Sequence, residues 1–146
     1  MFHDTLVPFA ERRIIKMKKV AIYGTGNVGK AFYQSHDFKD ENVIAFIETK
    51  PTKSEFLGIN VIGIQDVGKD IDKIYIANSY VETVYKCIDK GIPKNKLIFE
   101  NKCVALDYAN DVGKLDIEYD FAIQYEIQVV KPKYVITDFM RKNENI

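Results

Sequence analysis

Apolar residues form two kinds of pattern along the middle of the chain, short continuous runs and residues at helical spacing. Five short apolar runs are typical of buried parallel strands, and they lie at residues 18–23, 43–48, 59–62, 73–77 and 96–99. Apolar residues at helical spacing follow the first and fourth runs, at 28–35 and 81–88. Strands that alternate with helices through short connections form right-handed crossovers. The pattern therefore predicts an α/β fold, a Rossmann-like doubly wound parallel sheet of about five strands.

Local signals refine the connections between these elements. Residues 49–58 are predicted as a loop, and residues 65–69 have room for about one helical turn. Ser79 and Glu82 have the spacing of a capping box at the start of the second helix. Gly91 is placed to end that helix as its C-cap.

The two ends of the chain carry separate predictions. Residues 4–17 show the spacing of an amphipathic helix, and we assign residues 1–100 to one nucleotide-binding domain that includes it. Residues 101–146 form a C-terminal extension, interpreted as a dimerisation or linker segment. Within it, strict alternation of apolar and polar residues favours a β-hairpin over residues 117–137, although apolar residues also recur at i+4 steps and leave a helix open.

Composition excludes several classes of function. The chain has 21 basic and 21 acidic residues and a sequence pI near 6.7, so it carries no global charge that would recruit nucleic acid or an anionic membrane. Cys87 and Cys103 lack CxxC spacing, and His3 and His36 form no motif with them and are predicted to be surface residues. We therefore expect a cytoplasmic protein without a metal site, and no apolar run is long enough to cross a bilayer.

One motif carries candidate chemistry. A GxGxxG pattern follows the first predicted strand and opens the first predicted helix, as Gly24-Thr25-Gly26-Asn27-Val28-Gly29. Gly24 allows a tight turn, Gly26 lets a pyrophosphate approach the backbone, and Gly29 permits close packing of the helix on the sheet. Amides at the start of the helix then form an anion site. The motif predicts a phosphate-binding loop, the alternative being a turn needed for packing only.

Polar residues at the ends of two other strands complete the candidate site. Glu48 lies 24 residues after Gly24, where such folds place a carboxylate that accepts hydrogen bonds from ribose hydroxyls. This placement favours NAD over NADP, but the nearby Lys50 and Lys53 weaken that inference. Asn78-Ser79 ends the fourth strand across the expected crevice, although helix capping explains Ser79 equally well. The predicted ligand is NAD or a nucleotide-sugar.

The sequence does not identify a catalytic residue. None of the nine tyrosines has a lysine four residues later, as a short-chain dehydrogenase or sugar-nucleotide dehydratase needs. A methyltransferase is also disfavoured, because no acidic residue precedes the glycines. If the chain is an oxidoreductase, Tyr80 and Asp107 are candidate acids.

Residues 18–100 resemble a Rossmann-like N-terminal domain of bacterial surface-glycan proteins. The similar segments read IYGTGNVGKAFY, VIAFIETKPTKSEFLGINVIG and KIYIANSYVETVYKCIDKGIPKNKLIF. Such domains occur in CapD-type polysaccharide-biosynthesis dehydratases, in sialic-acid and bacillosamine acetyltransferases, and before some FkbM-type methyltransferases. The resemblance implies a nucleotide or sugar-nucleotide ligand at residues 24–29 and Glu48. The chain departs from these families at Glu48-Thr49, where they often have two aspartates, and it lacks their catalytic domains.

Three hypotheses about function remain open at this point. The first is a non-catalytic nucleotide-binding module of a bacterial glycan- or sugar-modifying protein, with a further C-terminal domain in the same assembly. The second is a small NAD-dependent oxidoreductase acting on a sugar nucleotide. The third is a structural module that has lost its ligand and forms a homodimer through its C-terminal strands.

Overall fold

The strands and helices follow the apolar runs of the sequence closely. The computed structural model of the protein describes residues 17–119. The strands are β1 (Lys18–Tyr23), β2 (Glu41–Glu48), β3 (Glu55–Phe56), β4 (Ile59–Gly63), β5 (Lys73–Ile76), β6 (Leu97–Phe99) and β7 (Glu118–Tyr119). The α-helices are α1 (Asn27–Ser35), α2 (Glu82–Lys90) and α3 (Lys102–Val112), and short 3-10 turns cover Ile64–Asp66 and Lys94–Lys96.

The seven strands form one sheet in the order β3-β4-β2-β1-β5-β6-β7. All neighbouring pairs are parallel except β3 and β4. Numbered in chain order, the central strands β4, β2, β1, β5 and β6 have the arrangement 3-2-1-4-5 of the Rossmann fold. The predicted Rossmann-like α/β class is confirmed, with seven strands in place of about five.

Side chains of successive strand residues pack on opposite faces of the sheet. On one face, Val20 and Ile22 of β1 share a buried cluster with Phe32 of α1. On the other, Ala21 and Tyr23 belong to a larger cluster that includes the buried faces of α2 and α3. This alternation is the period of two expected of a strand buried on both sides. The sheet is thus covered by helices on both faces, as doubly wound folds require.

A β-hairpin occupies the end of the segment that was predicted as a loop over 49–58. Strand β3 pairs antiparallel with β4, and the turn between them is Leu57-Gly58. Both turn residues have positive φ, 52° at Leu57 and 81° at Gly58, as in the two-residue turns that match the twist of a hairpin. The loop prediction is wrong at β3. Leucine is not a usual residue for this backbone conformation, so only Gly58 marks the turn in the sequence.

The sheet continues beyond Glu100, the residue at which the predicted nucleotide-binding domain ends. Helix α3 begins at Lys102 with Asn101 as its N-cap, whose side chain accepts hydrogen bonds from the backbone N–H groups of Cys103 and Val104, and β7 then pairs with β6. Residues 101–119 are therefore part of the α/β unit. The role of residues 101–146 as a dimerisation or linker segment stays a prediction.

Two other predictions concern the ends of the chain. All but the last residue of the predicted helix at 4–17, and all but the first residues of the predicted hairpin at 117–137, lie outside the described residues. No helix within residues 17–119 combines the length and the apolar character needed to cross a bilayer.

Candidate functional site

The glycine loop lies at the point where the strand order reverses. It connects β1 to α1, and β1 stands between β2 and β5. In open α/β sheets, ligands bind outside the carboxyl ends of the strands at this switch point. Helix α1 starts directly after Gly26, which as N-cap residue supplies no side-chain hydrogen bond, and its first turn carries no acidic residue. The loop therefore presents the backbone N–H groups of a helix N-terminus, and such groups bind phosphates.

Two glycines of the loop are needed by the fold itself. Gly24 has φ +132°, and a Cβ added there would lie 2.4 Å from the backbone oxygen of Ala77. A Cβ added at Gly29 would lie 2.0 Å from the backbone oxygen of Gly24. Both distances are far below van der Waals contact, so the tight turn and the close approach of helix to loop exclude side chains at these positions.

Gly26 differs from its two neighbours in the motif. A Cβ added there would meet no atom of residues 17–119 within 4 Å. Its φ of −92° and ψ of −160° are extended backbone that other residues adopt readily. Nothing in the described chain thus requires glycine at this position. A ligand that approaches the backbone closely would require it.

Glu48, at the end of β2, is held by donors from both adjacent loops. Its Oε2 accepts a hydrogen bond of 2.5 Å from the Thr25 hydroxyl and one of 3.1 Å from the Lys53 ammonium. Its Oε1 accepts a 2.7 Å hydrogen bond from the backbone N–H of Thr52. We call Thr25, Glu48, Thr52 and Lys53 the Glu48 cluster. It joins the glycine loop to the β2–β3 loop.

These hydrogen bonds favour the ionised form of Glu48. Partial burial would raise the pKa of Glu48, but the hydrogen bonds from Thr25, Thr52 and Lys53 outweigh it and lower the pKa to about 2. The carboxylate is therefore ionised at neutral pH and is paired with the Lys53 ammonium. Sequence reasoning placed Glu48 in the site as an acceptor for ribose hydroxyls. The structure places it there with protein donors, and the ribose role stays a prediction.

Asn78 supports the turn that faces the glycine loop. Its Nδ2 donates to the backbone oxygen of Tyr23 at 3.3 Å, and its Oδ1 accepts from the backbone N–H of Tyr80 at 2.9 Å and from the Thr83 hydroxyl at 3.2 Å. The Cβ that Gly24 lacks would lie 3.3 Å from the Cβ of Asn78, so this turn and the loop are in contact. Asn78 therefore holds the turn after β5 beside the glycine loop.

The predicted capping box at Ser79 is wrong. Helix α2 begins at Glu82 with Val81 as its N-cap, and no side chain caps it. The turn is held instead by Asn78 and by Thr83, whose hydroxyl donates to the backbone oxygen of Tyr80 at 2.7 Å. Ser79 is exposed, and its role toward a ligand stays a prediction. The predicted C-cap is confirmed, because Gly91 has φ 93° and donates to the carbonyls at the end of α2.

Three residues of this edge were missed or assigned differently from sequence. Thr52 had no signal, because its hydrogen bond to Glu48 depends on the path of the loop before the β3–β4 hairpin. Lys53 was noted only as a nearby charge. Tyr80 is 65% exposed in the turn after β5. Asp107, the other candidate acid, lies on α3 near Tyr85 of α2, whose pKa it helps to raise.

The histidine at the end of α1 is not an ordinary surface residue. The His36 ring lies 4.6 Å from the ring of Phe38, 4.7 Å from Phe32 and 5.1 Å from Tyr75, measured between centroids. The side chain is half-buried in this aromatic cluster. His36 therefore lies at the surface, as predicted, with its ring packed among aromatic side chains.

The two cysteines have different environments. Cys87 is fully buried in α2, and burial raises its thiol pKa to about 12, which fits the packed thiol that its helical position indicates. Cys103 is exposed near the start of α3.

Two recesses lie at the opposite, amino edge of the sheet. One is an open groove of about 420 Å³ beside Glu41, Lys73 and Tyr75. The other is a pocket of about 160 Å³ between Gly91 and Lys96. Neither includes the glycine loop. The two recesses and the glycine loop thus lie at opposite edges of the sheet. Gly26 favours the carboxyl edge as the candidate site, because no contact within residues 17–119 requires a glycine there.

Comparison with known proteins adds a family. A family model described as C2185-like, N-terminal matches residues 16–98. The chain belongs to this family. The matched segment of the C2185-like chain contains the glycine loop and the Glu48 cluster, while α3 and β7 lie beyond it. No curated protein matches the chain.

One similar solved structure is the apo scyllo-inositol dehydrogenase from Lactobacillus casei. The match has a TM-score of 0.47 and 18% sequence identity, and it covers 75% of the C2185-like chain and 38% of the dehydrogenase. The chain thus spans well under half the length of that protein. The family match does not confirm the resemblance to surface-glycan proteins, which remains part of the proposal below.

Proposed function

We propose that this C2185-like N-terminal domain is a nucleotide-binding module that takes NAD or a nucleotide-sugar at its glycine loop. The observation that carries the proposal is Gly26. Gly24 and Gly29 are explained by contacts within the chain, but Gly26 has an ordinary backbone conformation, and no atom of residues 17–119 would meet a Cβ there. A pyrophosphate resting on the loop would account for the absence of a side chain there.

The donors around the loop suit such a ligand. The backbone amides of residues 24–29 would hold the pyrophosphate at the uncapped start of α1, where the helix dipole favours negative charge. Glu48 and Lys53 would lie on the side of the adenosine ribose, and Asn78 with Ser79 on the opposite wall. NAD, when bound, would supply a hydride acceptor.

A binding module accounts for these features better than an enzyme does. Of the two alternative candidate acids, Tyr80 is exposed in the turn after β5 and Asp107 lies on α3, outside both the glycine loop and the Glu48 cluster. We propose that the catalytic groups lie in another domain or partner. The resemblance of residues 18–100 to domains of glycan-modifying proteins supports a sugar-modifying assembly, with a homodimer or an additional C-terminal domain as the partner.

The variant Gly26→Ser tests the proposal. Serine is a strong N-cap residue, so it should leave the melting temperature unchanged or raise it, while its side chain enters the space above the loop. Purified wild type and variant are titrated with NAD, NADH, NADP and UDP-sugars in a thermal-shift assay, since a ligand that binds only the native state raises the melting temperature.

The expected result is a shift with one ligand class in wild type that Gly26→Ser abolishes. Two results would contradict the proposal. One is that none of the ligands shifts wild type, and the other is that the variant responds as wild type does.

A further inference from the structure

The pocket of about 160 Å³ at the amino edge of the sheet has an apolar lining. Its wall is formed by the turn at 67–71, by the start of β5, and by the chain at 90–96 that leads from α2 to β6. Ile71, Ile74 and Ile92 line it. A cavity of about 150 Å³ holds benzene, whereas sites for larger ligands start at about 300 Å³. The pocket therefore has room for one aromatic or branched aliphatic group, and it is too small for a nucleotide.

Lys96 places a fixed positive charge in the wall of this pocket. Its ammonium donates hydrogen bonds to the backbone oxygens of Ile71 at 2.9 Å and of Lys69 at 3.2 Å. Both acceptors are neutral, and no carboxylate of residues 17–119 forms an ion pair with this ammonium. The side chain is half-buried, and one of its three N–H donors remains. A partly buried charge without a counter-ion favours the binding of an anion.

The mouth of the pocket carries further positive charge. Lys69 and Lys90 also line the pocket, and both are exposed. Neither ammonium pairs with a carboxylate of the described chain, and no aspartate or glutamate of that part of the chain lines the pocket. Lys90 lies in the last turn of α2, where the helix dipole also favours a cation. An apolar floor is thus combined with a positive rim.

We propose that this pocket binds a free small carboxylate that carries a single aromatic or branched aliphatic group, and that Lys96 is its counter-ion. The apolar group would be buried against Ile71, Ile74 and Ile92. The carboxylate would accept a charge-assisted hydrogen bond from the Lys96 ammonium. Because the pocket and the glycine loop lie at opposite edges of the sheet, this site is separate from the proposed nucleotide site.

Phenylacetate is the probe, and three other compounds test its parts on the wild-type protein. Phenylacetamide lacks the charge, acetate lacks the ring, and 1-naphthylacetate has a ring system too large for the pocket. Each is titrated into ¹⁵N-labelled protein at constant ionic strength, and amide chemical shifts give the location and the dissociation constant. Phenylacetate should shift the amides of residues 67–71 and 90–96. The other three compounds should each bind at least about tenfold more weakly.

Two variants test the role of Lys96. Lys96→Gln removes the charge but keeps a donor for the backbone oxygens of the turn at 67–71. Lys86→Gln is the matched control, because Lys86 is an exposed lysine one turn before Lys90 on α2 and does not line the pocket. Lys96→Gln should weaken phenylacetate about tenfold and phenylacetamide by less than about twofold, and Lys86→Gln should change neither.

The comparison of the two ligands separates a counter-ion from a residue that only holds the turn. Loss of the turn at 67–71 would weaken phenylacetate and phenylacetamide alike, and that result would overturn the role of Lys96. The site is overturned if phenylacetate at millimolar concentration moves no amide or moves amides elsewhere, or if phenylacetamide binds as tightly. If Lys96→Gln does not fold, the ligand comparison in wild type decides. None of these results affects the proposal for the glycine loop, which the nucleotide titrations test.

Discussion

Strand β2 carries a glutamate at each end, and both carboxylates bond to a lysine and to hydroxyl groups. At the amino end, Glu41 accepts a hydrogen bond of 2.8 Å from the Lys73 ammonium and one of 2.6 Å from the Tyr75 hydroxyl. At the carboxyl end, Glu48 accepts from the Lys53 ammonium and the Thr25 hydroxyl. The two side chains are almost equally shielded, with 12% of Glu41 and 13% of Glu48 exposed.

The two carboxylates differ in the elements that carry their hydrogen-bond partners. Both partners of Glu41 belong to β5, on the far side of β1, so this carboxylate ties two strands of the sheet together. Tyr75 is itself only 3% exposed and packs on the aromatic cluster around His36. The partners of Glu48 belong to two loops at the switch point. The same chemistry therefore joins two strands at the amino edge and two loops at the carboxyl edge.

The largest expected loss of stability follows from substitution of Gly29, where α1 packs closely on the glycine loop. Gly29→Ala should lower the free energy of unfolding by about 3 kcal/mol or more, because its Cβ would overlap the Gly24 backbone, which cannot move aside as a flexible side chain can. Gly26→Ala should cost about 1 kcal/mol or less, since only N-cap preference is at stake. Urea unfolding measures both. Equal losses in the two variants would show that Gly26 is also a packing residue.

The two glutamates provide a matched pair of variants. Glu41→Ala should lower the free energy of unfolding by about 2 kcal/mol, because two partly buried donors on β5 lose their shared acceptor, and it should leave nucleotide affinity unchanged. Glu48→Ala should cost about 1 kcal/mol but change nucleotide affinity. Urea unfolding and calorimetry separate the two effects. The comparison fails if Glu41→Ala impairs binding as strongly as Glu48→Ala.

A smaller effect concerns the dependence of stability on pH. The pKa of Glu48 is lowered from 4.5 to about 2 in the folded protein, so its contribution to stability is complete above pH 4.5 and is lost as the pH falls through about 2. Over that interval, Glu48→Gln should lose less stability than wild type. Melting temperatures of the two proteins between pH 5 and pH 2 test this. Parallel curves would mean that Glu48 is not held by its cluster.

Most of the sheet was predictable because its strands are buried on both faces. That burial leaves continuous apolar runs such as 73–77. The strands that were missed, β3 and β7, are two residues long and carry no such run. Helix α3 was missed although its buried residues do recur at helical spacing and Asn101 and Gly113 flank it as caps. The helix was therefore predictable from local signals, unlike β3 and β7.

The site was predictable only where local backbone geometry determines it. The motif located the glycine loop, because a tight turn and a close helix approach leave few residues possible at positions 24 and 29. Thr52 and Lys53 reach Glu48 only through the path of the β2–β3 loop, and no local pattern encodes that path. The partners of Glu48, which decide whether it accepts from ribose, therefore required the structure.

Amide chemical-shift mapping tests most directly whether the ligand lies at the carboxyl edge. The ¹⁵N-labelled protein is titrated with NAD and with NADP, and the shift of each amide is recorded. We predict the largest changes at residues 24–29, followed by residues 48–53, with the amides of Glu41 and Tyr75 unmoved. Changes concentrated around Glu41, His36 and Tyr75 would place the ligand in the amino-edge groove. That result, or the absence of any change, would contradict the account.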